Sequence, residues 1–181
     1  MQAAFDTGIR AIAIAGLHAY LNPVHEARAA EMAREIGFTQ ISASAEVSRL
    51  AKLAGRGDTT VVDAYLSPIL RRYVEQVAGA LDMGRACERL LFMQSNGGLT
   101  DAGLFQGRDA ILSGPAGGVL GAIHLSRLAG YSNILTLDVG GTSTDMSLVT
   151  DLKPAMTSQS MIEHYPVKTP MLDIVTVGTG G

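Results

Sequence analysis

Residues 133–149 constrain this chain more than any other segment. An apolar run, Asn133-Ile134-Leu135-Thr136-Leu137, ends in Asp138 and a glycine pair, and a second alternating run, Met146-Ser147-Leu148-Val149, leads away. The change from apolar runs to Gly140-Gly141 and back predicts strand, tight turn, strand. Two carboxylates, Asp138 and Asp145, and three hydroxyls, Thr142, Ser143 and Thr144, crowd that turn. Glycines let backbone N–H groups approach a phosphate, because no Cβ stands in the way. Hydroxyls add donors, and carboxylates can hold Mg²⁺, directly or through water, or orient an attacking water. The set suits the phosphate tail of ATP. An Asp-x-Gly-Gly string alone also suits a plain hairpin turn, and no Gly-Lys-Ser or Gly-Lys-Thr follows to make a Walker loop.

Composition narrows the class. The chain has 181 residues, room for one domain or one and a half, and its 47% hydrophobic content supports a real core. Twenty-one glycines point to a turn-rich α/β protein rather than a helical bundle. A net charge of -3 gives no electrostatic footprint for nucleic acid or an anionic membrane. The single cysteine, Cys87, cannot form an internal disulfide, has no Cys-His motif around it and suits a reducing cytoplasm. The longest apolar run, residues 11–17, is far short of the ~20 residues a membrane helix needs, and no signal-peptide pattern opens the chain. A soluble, cytoplasmic protein is expected.

Alternating strands and helices fill the rest. Residues 9–15 read as a buried strand. Asn22-Pro23 starts a helix whose inner face is Ala29, Met32, Ala33 and Ile36 and which Gly37 stops. Residues 39–43 alternate as a second strand, completing a β-α-β unit with parallel pairing. Gly55-Arg56-Gly57-Asp58 reads as a solvated turn at a boundary. A helical region follows, with Val62, Tyr65, Leu66, Ile69, Leu70, Tyr73 and Val77 as its apolar stripe. Ser67-Pro68 predicts a kink there or a break between two helices. Residues 89–93 read as a strand, followed by a glycine turn at Asn96, Gly97 and Gly98 that either faces a site or only reverses the chain. Ser113-Gly114-Pro115 reads as a helix N-terminus with Ser113 as cap, a place that attracts anions. Gly117, Gly118 and Gly121 fit that role or close helix packing equally. His18, His25 and Glu26 lack zinc spacing and are expected in structural or interface roles, with Glu26 favourably placed in the first helical turn.

The string from Leu137 to Asp145 resembles the second phosphate-binding hairpin of the actin, sugar-kinase and heat-shock-chaperone ATPase superfamily. A closer resemblance runs through the chain. Leu17-His18-Ala19-Tyr20-Leu21-Asn22-Pro23-Val24-His25-Glu26, Arg56-Gly57-Asp58-Thr59-Thr60-Val61-Val62-Asp63-Ala64-Tyr65, Met93-Gln94-Ser95-Asn96-Gly97-Gly98, Leu112-Ser113-Gly114-Pro115-Ala116-Gly117-Gly118, the hairpin itself and Pro170-Met171-Leu172-Asp173-Ile174-Val175-Thr176-Val177-Gly178 stand in the order of the hydantoinase A/5-oxoprolinase family. The resemblance implies an α/β fold made of partial ribonuclease-H-like lobes. It places residues 1–60 at the end of a first lobe and 61–181 at the start of a second.

That family implies ATP-dependent ring opening of a cyclic amide such as 5-oxoproline or a hydantoin, through phosphorylation of the carbonyl oxygen. An amide carbonyl is a poor electrophile, and a phosphorylated oxygen leaves well. On this basis Asp138 and Asp145 organise Mg²⁺ or the transfer geometry, and Gly140, Gly141, Thr142, Ser143 and Thr144 hold phosphate oxygens. Ser113, Gly114, Gly117 and Gly118, together with Asn96, Gly97 and Gly98, line the same cleft. A hydantoinase B-type subunit or fused domain is the implied partner. Acetone carboxylase-type relatives give the alternative of ATP-dependent ketone carboxylation, and a noncatalytic actin-like nucleotide-binding module is a third reading. Family members carry an earlier glycine-threonine hairpin and continue beyond the equivalent of Gly178. The sequence therefore resembles an internal fragment, for which little catalytic activity alone is expected.

Overall fold

The computed structural model describes residues 1–81, 85, 87–162 and 165–178. Residues 179–181 lie outside that set. In chain order the first elements are α1 (Gln2–Asp6), β1 (Ala11–Ile14), α2 (Val24–Ile36), β2 (Gln40–Ala43), α3 (Ser44–Val47) and α4 (Leu53–Ala80). Next come β3 (Leu91–Met93), β4 (Leu99–Asp101), α5 (Gly107–Ala110) and α6 (Ser113–Ala129). The chain then runs through β5 (Ile134–Val139), β6 (Thr144–Thr150), β7 (Lys153–Pro154) and β8 (Met156–Thr157). It closes with β9 (Ser160–Ile162), β10 (Tyr165–Val167), β11 (Met171–Leu172) and β12 (Val175–Val177). Two compact units result. One is Met1–Glu88 with Gln106–Arg108 and Gln159–Thr169; the other is Arg89–Phe105, Asp109–Ser158 and Pro170–Gly181.

The first unit contains the expected β-α-β arrangement, with β1 and β2 parallel and Ala11 opposite Gln40. The helix between them starts at Val24, whose N–H donates to Asn22 Oδ1 at 3.2 Å, and ends at Gly37 in the left-handed conformation. Gly37 and Phe38 N–H groups both donate to the Ala33 carbonyl, which satisfies the last turn. Its buried positions are Glu26, Ala30 and Ala33, while Met32, expected inside, is exposed.

Residues 55–58 are not a turn. They form the opening of α4, a continuous helix that carries Pro68 inside it and does not break there. Its buried face is Gly55, Arg56, Thr59, Thr60, Asp63, Ala64, Ser67 and Val74. Of the expected apolar stripe, Tyr65, Ile69 and Tyr73 are exposed, while Val62, Leu66, Leu70 and Val77 are half-buried. The physical reason is hydrogen bonding. Thr59 and Thr60 hydroxyls donate to the carbonyls four residues back, and Ser42 Oγ donates to Asp63 Oδ2 at 2.7 Å. Fully paired polar groups can be buried where unpaired ones cannot.

Glu26 and Arg56 anchor the loop after β1. The Glu26 carboxylate is 2% exposed and accepts from Gly16 N at 2.6 Å, Ala45 N at 2.8 Å and the Ser44 hydroxyl. The Arg56 guanidinium is fully buried; it donates to Ser44 Oγ at 2.8 Å and to the carbonyls of Gly16 and Leu50. Ser44 thus stands between two opposite charges. The expected structural role of Glu26 holds, through backbone contacts more extensive than a helix dipole would supply. His18 and His25 are exposed.

The second unit is built on an antiparallel sheet ordered β12-β6-β5, with β7 also against β6. Helix α6 covers one face. Ala116, Val119 and Ile123 of α6 meet Val149 and Leu172, with Met93, Leu120, Ile134 and Ile174 packed around them. Gly130, left-handed at φ 82°, ends α6. Leu112, not Ser113, precedes the helix, and no side chain caps it.

Candidate phosphate-binding site

Strand alternation and pairing register decide where the hairpin's polar groups go. In β5 and β6, Ile134 stands opposite Val149, Thr136 opposite Ser147, and Asp138 opposite Asp145. Successive residues of a strand point to opposite faces, so these three rungs share one face. Ile134 and Val149 belong to the α6 core, which makes it the α6-covered face. Polarity therefore rises along it: an apolar rung in the core, a hydroxyl rung, then a carboxylate rung at the turn.

The middle rung is closed on itself. Thr136 Oγ1 donates to the Ser147 carbonyl at 3.2 Å and accepts from Ser147 N at 3.1 Å; Ser147 Oγ donates to the Asp173 carbonyl at 2.9 Å. The carboxylate rung is open. Asp138 is exposed and Asp145 half-buried. Asp145 Oδ1 accepts from Thr176 Oγ1 at 2.6 Å, and Thr176 lies opposite Asp145 in β12. Cross-strand partners hold their Cβ atoms roughly 4.5–5.5 Å apart, close enough for two carboxylates to share one cation. Thr176 is a residue the sequence reading missed. Its position within the ordered string that starts at Pro170 was the available signal.

The turn itself is tight. Gly140 N donates to the Ser143 carbonyl at 2.8 Å, and a Cβ on Gly140 would come within 3.2 Å of that oxygen. Gly141 faces open space. Thr142 is exposed, Ser143 half-buried and Thr144 buried.

Helix α6 supplies the other wall. A Cβ on Gly118 would lie 3.9 Å from Asp138 Oδ2, so the first turns of α6 stand beside the carboxylate rung. Among the described residues nothing lies within 4 Å of a Cβ placed on Gly114, Gly117 or Gly121. A groove of about 510 Å³ runs along α6 and β5, lined by Pro115, Gly118, Thr136, Asp138 and Asp145 among others. The structure thus brings Gly118, Asp138 and Asp145 together. Asn96, Gly97 and Gly98 do not line that groove. Gly97 N and Gly98 N donate to Gln94 O and Asn96 Oδ1 within their own turn, and Gly97 packs against Leu120 of α6.

Two carboxylates fit the chemistry of Mg²⁺ at a nucleotide. This ion keeps several waters and takes one or two carboxylates along with phosphate oxygens. Among the described residues no cluster of three or more His, Cys, Asp or Glu forms a cage for a metal without such help.

The hydantoinase/oxoprolinase family model matches residues 56–181, and the hydantoinase/oxoprolinase N-terminal region model matches residues 1–37. The chain belongs to the hydantoinase/oxoprolinase family. Its sequence is 40% identical to the 5-oxoprolinase of Saccharomyces cerevisiae over the whole of this chain and 14% of that protein. The caprolactamase subunit alpha of Pseudomonas jessenii is 33% identical over 96% of this chain and 25% of its own length. An acetone carboxylase structure superposes with a TM-score of 0.86 and 27% identity, covering 97% of this chain and 26% of that one. A structure of the ATP-dependent caprolactamase from Pseudomonas jessenii gives 0.83 and 30%, over 98% and 26%. The expected α/β fold of partial ribonuclease-H-like lobes is therefore the fold observed. This chain spans about a seventh of the length of the oxoprolinase relative. Among the described residues no helix is long and apolar enough to cross a membrane.

Proposed function

We propose that this hydantoinase/oxoprolinase-family chain carries the phosphate grip of an enzyme that uses ATP to open a cyclic amide such as 5-oxoproline or a hydantoin. The observation that carries the reading is the carboxylate rung. Asp138 and Asp145 face each other across the hairpin, on the side where Gly118 of α6 leaves room. Asp138 and Asp145 would hold Mg²⁺ together with phosphate oxygens and water. The ion would neutralise charge developing on the phosphates. Gly140, Gly141, Thr142, Ser143 and Thr144 would border the phosphate oxygens with N–H and hydroxyl donors. Ser113, Gly114, Gly117 and Gly118 would place the positive end of α6 beside them. Asn96, Gly97 and Gly98 contribute by supporting α6, since the donors of Gly97 and Gly98 are engaged within their own turn.

The assignment of residues 1–60 to the close of one lobe and 61–181 to the opening of the next belongs to the same proposal. So do a cytoplasmic setting and a hydantoinase B-type subunit as partner; the relation to a caprolactamase subunit named alpha supports the latter. The superposition on acetone carboxylase favours one second reading, ATP-dependent carboxylation of a ketone.

One experiment separates them. ADP release is measured with MgATP, with and without a hydantoinase B-type subunit, on adding 5-oxoproline, a hydantoin, or acetone with bicarbonate. Stimulation by the cyclic amides is the expected result. Stimulation by acetone and bicarbonate transfers the chain to the carboxylases, and hydrolysis indifferent to every addition makes it a noncatalytic nucleotide module.

A further inference from the structure

Ser95 lies beside the proposed site without lining it, and every polar atom it owns is used. It is 1% exposed. Its N–H donates to the Asp109 carbonyl at 2.7 Å, and its Oγ donates to the same carbonyl at 2.8 Å. Oγ also accepts from Leu112 N at 2.9 Å, and the Ser95 carbonyl accepts from Leu172 N at 2.8 Å. Leu112 is the residue that opens α6, and its carbonyl takes the first helical hydrogen bond from Ala116 N at 2.9 Å. The residue after Leu172 is Asp173, whose carbonyl accepts from Ser147 Oγ in the rung just below the carboxylates. A continuous path of hydrogen bonds and one peptide link thus joins the start of α6 to the hairpin, and Ser95 is its middle.

We propose that Ser95 is a positioning residue that sets the start of α6, and with it Gly118, against Asp138 and Asp145. The inference rests on the reading of that hairpin as the phosphate grip. No side chain caps α6, so Leu112 N has Ser95 Oγ as the group that fixes it. Removing that hydroxyl leaves the Leu112 and Asp109 groups with one partner fewer in a dry place. Leu112 then shifts, and the distance between Gly118 and the carboxylate rung ceases to be fixed.

Ser95→Ala is compared with Phe105→Ala in the full chain. Phe105 belongs to the same unit but stacks on Phe92, ring centroids 5.1 Å apart, outside the core cluster formed by α6. Two quantities are read in each variant: amide exchange at residues 112–118 and affinity for MgATP. Ser95→Ala is expected to speed exchange at 112–118 and weaken MgATP binding by about tenfold each. Phe105→Ala is expected to lower the unfolding midpoint by as much or more while leaving both unchanged relative to the unit as a whole. Equal effects of the two variants, or exchange at 112–118 unchanged in Ser95→Ala, overturn the inference. So does a loosened α6 start with undiminished MgATP affinity. If the unaltered chain binds no MgATP, the phosphate reading fails by itself, and the exchange data still decide what Ser95 holds. Should Ser95→Ala not fold, Ser95→Cys keeps the volume with a weaker hydrogen-bonding atom and is expected to act in the same direction, less strongly.

Discussion

Arg56 shows at the scale of one residue how a surface-looking string can be a core element. The guanidinium is shut off from the surface; carbonyls of Gly16 and Leu50 and the Ser44 hydroxyl stand in for a hydration shell. A planar fork of five donors can make those bonds together, and a lysine ammonium cannot. Arg56→Lys is therefore expected to cost about 3 kcal/mol, because a buried charge with lost partners is among the most destabilising changes. A urea titration measures it, and a loss below about 0.5 kcal/mol, the range of an ordinary surface substitution, would show that the network does not hold the loop after β1. Asp138 behaves oppositely. It is exposed, so Asp138→Asn leaves the unfolding midpoint unchanged, yet it removes one of two charges on the carboxylate rung. MgATP affinity by calorimetry should fall about tenfold or more. Undiminished affinity would take Asp138 out of the proposed site.

At the scale of elements, local signals were readable and distant ones were not. The β5–β6 hairpin and the β1–α2–β2 unit follow from short-range facts: a period of two, a glycine pair, Asn22 before a helix and Gly37 after it. Helix α4 did not follow in the same way. That a helix lies there was legible, but its start at Leu53 and its continuity through Pro68 were not, and neither was its inner face, because Asp63 and Ser67 find partners far along the chain. Gly107 N donates to Ser67 Oγ at 3.0 Å and Arg108 N to Asp63 Oδ1 at 3.2 Å. A reading that ranks positions by hydropathy sends Thr59, Asp63 and Ser67 outward and Tyr65, Ile69 and Tyr73 inward. The opposite arrangement becomes possible once each buried polar atom is paired. The site divides along the same line. Asp138, Asp145 and the glycines between them were legible because they are consecutive, whereas Thr176 and Ser95 join them through pairing and loops. Gly107 gives this scale its test. A Cβ there would sit 2.7 Å from both Leu66 Cβ and Ser67 N, and backbone cannot step aside as a flexible side chain can. Gly107→Ala is expected to destabilise by about 1–3 kcal/mol, read as a lower denaturation midpoint. An unchanged midpoint would mean that this segment is not docked on α4.

At the scale of the molecule, the main sheet of the second unit, β12-β6-β5, has two unlike faces. Helix α6 covers the face carrying the carboxylate rung; the other carries Leu135, Leu137, Val139, Leu148, Val175 and Val177. Leu135, Leu137 and Val139 are 67%, 62% and 68% exposed. They lie on β5, which ends the sheet's pairing order, so an apolar face and a sheet edge coincide there. Apolar patches of this kind and unprotected edges both drive association. The chain is therefore expected to self-associate as its concentration rises. Leu148→Lys should reduce that tendency, since a charge in the middle of that apolar face opposes stacking. Alternation places Leu148 on the side away from Asp145 and outside the lining of the groove, so MgATP affinity should not change. Sedimentation over a range of concentrations, with calorimetry on the same variant, checks both halves. A chain that stays monomeric throughout would show that the apolar face is too small to drive association. Loss of MgATP binding in Leu148→Lys would show that the two faces of the hairpin are not independent.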